Sequence, residues 1–212
     1  PPAPPFERGA ALGGALAGRI AGTVDRYRAL FGAVAGGEVD LEAFGRQAQR
    51  AIAGFAPAIA EEIEGIAAGS GQPVEVLAAL NARTEILAAL GAQGRGECST
   101  VVSLRGRDPV SVQTWDWHDL LQDDWFLWTI DHPEGHRTVT VTEFGIVGKI
   151  GVSSRRFGTH FNILHHRSDG GPIGVPVHVL ARTILDTAAD LGGALAMAGN
   201  ASVSASSVLT LV

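Results

Sequence analysis

The sequence predicts an α+β protein, with helices layered on a mostly antiparallel sheet. Two observations carry this. The segment before Gly91 is rich in Ala and Leu with apolar residues at helical spacing, whereas short β-forming runs dominate from Cys98 to Leu164. Helical periodicity then returns before a last β-rich run. Grouped strands followed by grouped helices indicate α+β rather than an alternating parallel fold. With 212 residues, 46% of them hydrophobic, the chain has material for one large domain, or for one domain plus a helical extension.

The elements follow in order. Pro1–Pro5 is an extended polyproline lead-in. Leu12, Leu16, Ile20, Val24 and Tyr27 share one face of a helix over 6–35. Glycines 13, 14, 18 and 22 weaken its propensity but admit a neighbouring helix closely, and Gly36-Gly37 ends it. Asp40 is a candidate N-cap for a second helix, which Pro57 breaks or kinks. A third segment over 58–68 places Glu61, Glu62 and Glu64 on its wet side. Pro73 opens a helix to about Leu90, and the polar patch Asn81–Glu85 inside it reads as a solvated face. Glycines 91, 94 and 96 make a flexible or strained, protease-accessible connection.

Strands are expected over 99–104, 109–115, 125–130, 137–144, 150–153 and 159–164. Hairpin-like turns fall at 105–108 and 131–135. A helix over 176–190, a short one over 191–198 and a strand over 203–212 complete the chain.

Composition narrows the function classes. The net charge of −6 and the lack of a basic run argue against nucleic acid as a partner. Cys98 is the one cysteine and has no intrachain disulfide partner; no signal pattern opens the chain, and the expected location is cytoplasmic. No apolar run reaches the roughly 18–20 residues of a membrane span.

Cys98 stands at the helix-to-strand boundary. A thiol nucleophile needs a base or a lowered pKa. His118, the nearest histidine, lies at no papain-type spacing. Cutting the bond before Cys98 would instead give the residue its own α-amino group, which titrates near roughly 7.7 and can accept the thiol proton. The ordinary alternative is a partly buried structural cysteine.

Gly96-Glu97-Cys98-Ser99-Thr100, followed by Trp115-Asp116-Trp117, resembles the isopenicillin-N acyltransferase family of cysteine N-terminal-nucleophile (Ntn) hydrolases. Asn81–Glu85, Gly148-Lys149-Ile150-Gly151, Phe161–Leu164 and Val175–Arg182 resemble further family segments, so the likeness runs from about Val76 to the C-terminus. It implies an αββα sandwich, made as a precursor that cuts itself between Glu97 and Cys98. Residues 1–97 would be a helical pro-segment or small subunit, and residues 98–212 the N-terminal part of the core. Cys98 would attack an amide or thioester carbonyl, and Asp116 would hold the α-amino group through a short charge-assisted hydrogen bond.

The family pattern continues past the equivalent of Val212. The resemblance therefore implies a core incomplete at its C-terminal side, with one oxyanion-hole asparagine outside this sequence and a sheet edge left exposed. Where the family has Asn and a Gly-Leu turn after Gly-Lys-Ile-Gly, this chain has Ser153, Arg156 and Phe157. Ser153 reaches less far than an asparagine, and loss of one oxyanion donor costs about 100- to 1000-fold in rate.

Thr100, Trp117, His118 and Ser153 are the substrate-pocket candidates, with Trp117 and His118 as an apolar wall for a fatty or aromatic acyl chain. Packing is the ordinary reading of Trp115, Trp117, Trp125 and Trp128, and Thr100 serves equally as strand filler. No cofactor is expected, although acyl-coenzyme A is a possible substrate. The expected partners are a small-molecule amide or acyl thioester and the two subunits of one precursor; a homo-oligomer is possible. His160, His165, His166 and His178 form the densest histidine group but match no metal motif, so loop and surface roles are expected. Neighbours in Asp123-Asp124 and Glu61-Glu62 point apart, and both pairs are expected to be solvated.

Three readings remain: the Ntn acyltransferase or amidohydrolase, an N-acyl-amino-acid or peptide hydrolase of the same fold without acyl-coenzyme A, and a processing-defective or truncated homologue acting as a binding module.

Overall fold

A computed structural model describes residues 2–92, 98–106 and 108–212. The helical part comprises α1 (Pro5–Ala35), α2 (Leu41–Phe55), α3 (Pro57–Ser70), α4 (Val74–Asn81) and α5 (Arg83–Ala89). The strands β1 (Thr100–Ser103) and β2 (Val110–Gln113) form a separate antiparallel ribbon. A five-stranded antiparallel sheet runs in the order β3 (Trp125–Asp131), β4 (Arg137–Glu143), β5 (Ile150–Ser153), β6 (Phe157–Ile163) and β7 (Ser207–Leu211). Between β6 and β7 lie α6 (Val177–Thr187) and α7 (Leu191–Asn200). This is the α+β architecture that the residue pattern implies, and no helix among the described residues is long and apolar enough to cross a membrane.

The local signals act as the chemistry dictates. The Asp40 carboxylate accepts from the Ala43 N–H, capping α2, and Pro57 occupies the first turn of α3 after α2 has ended. Two helices differ from the expectation. α1 departs from helical geometry at Leu16, and the helix expected over 73–90 breaks at Ala82 into α4 and α5. The break lets the polar residues after Leu80 turn inward.

The glycines of α1 work in part as expected. Gly13 packs against the Ile66 carbonyl of α3, and Gly65 packs against the Phe6 carbonyl; a Cβ at either would collide with the opposite backbone. Gly18 meets nothing, and Gly22 meets only the Arg26 side chain, so those two serve no close approach.

One hydrophobic core joins the two parts of the chain. Ile20, Tyr27, Phe31, Ile52, Ile66 and Leu80 share it with Phe144, Ile146, Val147 and Val179. The ribbon is different: Val101, Val110 and Val112 are each at least 60% exposed.

Four polar expectations are corrected. Glu62 is not on a wet face but fully buried, paired with Arg182 (Nη1 to Oε1, 2.9 Å) and with Arg8. Asn81, Arg83, Thr84 and Glu85 are buried rather than solvated. Asp124 is buried against Arg26 (3.0 Å). His178 is buried rather than on the surface, as are His132 and His136, although His165 and His166 do sit on an exposed loop. In each acidic pair the neighbours point apart, so one member can enter the core beside an arginine.

Candidate active site

The site begins with the way the ribbon is held. Gln113 pairs its side-chain amide with the β6 backbone: Nε2 donates to the Phe161 carbonyl (2.7 Å), and Oε1 accepts from the Phe161 N–H (3.1 Å). Asn162 does the converse, donating from Nδ2 to the Cys98 carbonyl (2.6 Å) and accepting from Thr100 Oγ1 (2.7 Å). Together these bonds fix Cys98 at the entry to β1, beside the five-stranded sheet.

Cys98 is half-buried and its Sγ lies 3.7 Å from the Asp116 carbonyl oxygen. The Asp116 carboxylate is exposed and accepts from Thr114 Oγ1 (3.0 Å), whose oxygen accepts from the Ser99 N–H (3.0 Å). A chain of hydrogen bonds thus links the aspartate to the residue after the cysteine. Glu97 lies outside the described residues.

Cys98 lines a small, narrow cleft together with Arg83, Gln113, Trp115, Trp117, Val141, Lys149, Ile150, Phe161 and Ile163. Beneath it is a buried charged cluster. Glu143 pairs with Arg83 (3.3 Å) and with Lys149, and its Oε1 accepts from the Tyr27 hydroxyl (2.6 Å). Trp117 Nε1 donates to the Tyr27 oxygen (3.1 Å), while the Arg83 guanidinium lies 4.0 Å from the Trp117 ring centre. Lys149 Nζ lies 3.9 Å from the Trp115 ring centre.

Burial governs the charges here. It opposes ionisation of Glu143, yet Arg83 and Lys149 together hold that carboxyl below its ordinary value. Burial, reinforced by Arg83, pushes Lys149 down to about 7 despite the Glu143 partner. Burial keeps the Tyr27 hydroxyl protonated, as its role of donor to Glu143 requires. Behind Phe161, His178 is held well below the usual imidazole range, first by burial and then by Arg83 and Lys149.

Of the pocket candidates, Trp117 lies in the cleft wall, and Thr100 reaches the site through Asn162. His118 is exposed and caps the short 3-10 turn Asp119–Leu121, accepting from the Leu120 N–H. Ser153 is buried at the far end of β5, where it pairs with Phe157; neither it nor His118 lines the cleft. Arg156, in the turn after Ser153, has φ of 69°, a left-handed conformation that glycine adopts without strain.

The residues that sequence reasoning missed as site members are Arg83, Glu143, Lys149, Gln113, Asn162 and Tyr27. Arg83 stood out as a charge in an oily helix. Lys149 and Asn162 lay inside motifs that had already carried the resemblance.

No family model matches the chain. Among curated proteins it is 30% identical, over 184 residues, to the acyl-coenzyme A:6-aminopenicillanic-acid-acyltransferase 40 kDa form of Emericella nidulans. The chain is a distant relative of that acyltransferase. The match covers 86% of this chain and 51% of the relative, so the chain spans about half the relative's length.

Proposed function

We propose that this protein is a self-processing cysteine Ntn amidohydrolase or acyltransferase, in which Cys98 is the nucleophile. The observation that carries the reading is the position of Cys98. Its thiol stands two residues before β1 and lines a largely apolar cleft, with Asp116 linked to the neighbouring backbone through Thr114. The distant relationship to a named acyltransferase supports the same class.

The chemistry would proceed as follows. Cleavage of the Glu97–Cys98 bond frees the Cys98 α-amino group, and Asp116 orients it. The amine takes the thiol proton, and the thiolate attacks an amide or thioester carbonyl, forming a sulfur–carbon bond. The leaving amine or thiol takes the proton, leaving a thioester acyl-enzyme. Water or an amine then attacks that carbonyl, and the sulfur–carbon bond breaks. Trp115, Trp117 and Phe161 offer an apolar wall for the acyl chain. Glu143 balances Arg83, so positive charge beside that wall comes from Lys149 where it is protonated, below about pH 7.

Acyl-coenzyme A thioesters and 6-aminopenicillanic acid, for which the relative is named, are the first substrates to try. A hydrolase of N-acyl amino acids that makes no use of coenzyme A is the second reading, favoured by the same positive charge beside the acyl wall. The Cys98→Ala variant tests the nucleophile, with the two substrate classes assayed side by side. It should keep the fold by circular dichroism and lose both cleavage and turnover. Turnover that persists in Cys98→Ala would refute the assignment. Asp116→Asn should impair either step while leaving the fold intact.

A further inference from the structure

We propose that Lys149 is the base that takes the Cys98 thiol proton in the uncut chain, for the cut that exposes the Cys98 amine. This rests on the reading of Cys98 as a self-processing nucleophile. That reading leaves one step without a base. The α-amino group that serves during turnover does not exist until the Glu97–Cys98 bond is broken. Before then the Cys98 nitrogen is an amide, whose lone pair is delocalised into the carbonyl and accepts no proton at neutral pH.

The cleft offers few other groups. Of the residues that line it with Cys98, Arg83 and Lys149 carry a titratable nitrogen, and a guanidinium does not deprotonate in a protein. The Gln113 amide is occupied with the Phe161 backbone. His118 caps its own turn and His178 packs edge-on to Phe161; neither lines the cleft. Asp116 presents its carbonyl oxygen, not its carboxylate, to Cys98 Sγ, and the carboxylate accepts from Thr114 instead.

Lys149 stands immediately before β5, where its backbone N–H donates to Thr140 Oγ1 of β4 (3.2 Å). The residue is 2% exposed, and Nζ lies 3.9 Å from the ring centre of Trp115 in the cleft wall. Glu143 is its ionic partner among the described residues, and no other group there takes a hydrogen bond from Nζ. The charged or titratable groups that face it are Glu143 from β4, Arg83 from α5, His178 from α6 and Cys98 itself. Tyr27 of α1 holds the other oxygen of Glu143. Burial and then Arg83 lower Lys149 to about 7, against the raising pull of Glu143 and Cys98. The neutral amine, which is the form that accepts a proton, is therefore well populated at neutral pH.

In the step itself, the Lys149 amine takes the thiol proton and the thiolate attacks the Glu97 carbonyl carbon. A sulfur–carbon bond forms and the carbon–nitrogen bond breaks. Lys149 returns its proton to the departing nitrogen, which becomes the Cys98 α-amine. Water then hydrolyses the thioester, freeing the Glu97 carboxyl group and the thiol.

The full chain, made by cell-free synthesis and followed by intact mass at pH values on either side of 7, tests this. The parent's cutting rate should rise with pH and level off above about 7, as Lys149 loses its proton. Lys149→Arg keeps the charge beside Glu143 but cannot act as the base, and Lys149→Met keeps the length without the charge. Both should cut about 100-fold more slowly or worse, with the rise through pH 7 gone. Circular dichroism checks the fold, and if neither variant folds the parent's own profile decides. A parent rate flat across pH 7, variants that cut at the parent's rate, or a uniform slowing with the parent's profile kept would each overturn the role of Lys149. Cutting that persists in Cys98→Ala, or a parent that never cuts, would instead sink the reading of Cys98 and this inference with it.

Discussion

Glu85 gives the residue scale its sharpest test. It is fully buried; Oε1 accepts from the Val177 N–H (2.9 Å) at the start of α6, while Oε2 has no partner among the described residues. Burial raises its carboxyl to about 7, against the lowering pull of the Val177 N–H. The folded state thus holds a proton that the unfolded state releases from about pH 4.5 upward. The associated stability is fully present below that pH and is lost as pH rises through about 7. Glu85→Gln keeps the acceptor for Val177 and removes the titration. Denaturant melts across this window should show the parent losing stability relative to the variant as pH rises, leaving Glu85→Gln more stable at pH 8 by on the order of 3 kcal/mol. Spacing could not reveal this burial, because the partners of the patch are distant in sequence. Asn81 braces Gly145 and Val147, Arg83 meets Glu143, and Glu85 caps α6. A polar residue in an oily helix looks solvated until its partner is known.

At the scale of elements, helices and strands were legible wherever one short-range signal fixed them: a cap at Asp40, a proline at 57, alternation through β3 and β4. What escaped was the break at Ala82, which follows from tertiary burial and not from any proline or glycine. The packing of α1 on α3 was half legible. The glycines announced a close approach, but only Gly13 of the four named makes one, joined by Gly9. Gly65→Ala should force the two helices apart and cost about 1–3 kcal/mol, read as a lower midpoint in urea. Gly18→Ala, facing open space, should stabilise the helix by up to about 1 kcal/mol.

At the scale of the whole molecule, the helical part is no loose leader. Tyr27 and Arg83 complete the cluster under Cys98, Glu62 neutralises the buried Arg182, and the hydrophobic core is shared across the proposed cut. Removing one partner of such a buried pair typically costs about 3–5 kcal/mol. The two products of cleavage should therefore stay together in native buffer and part only in denaturant. The helix-to-strand boundary at Cys98 and the ribbon that follows it were legible from the run Cys98 to Asp116. The cleft floor was not, because it assembles from five separate stretches of chain. The proposed mechanism turns on one bond, between Glu97 and Cys98. Intact-mass analysis of the purified, active protein under denaturing conditions should give two pieces, the larger beginning at Cys98. A single uncut chain that carries the activity would contradict the mechanism.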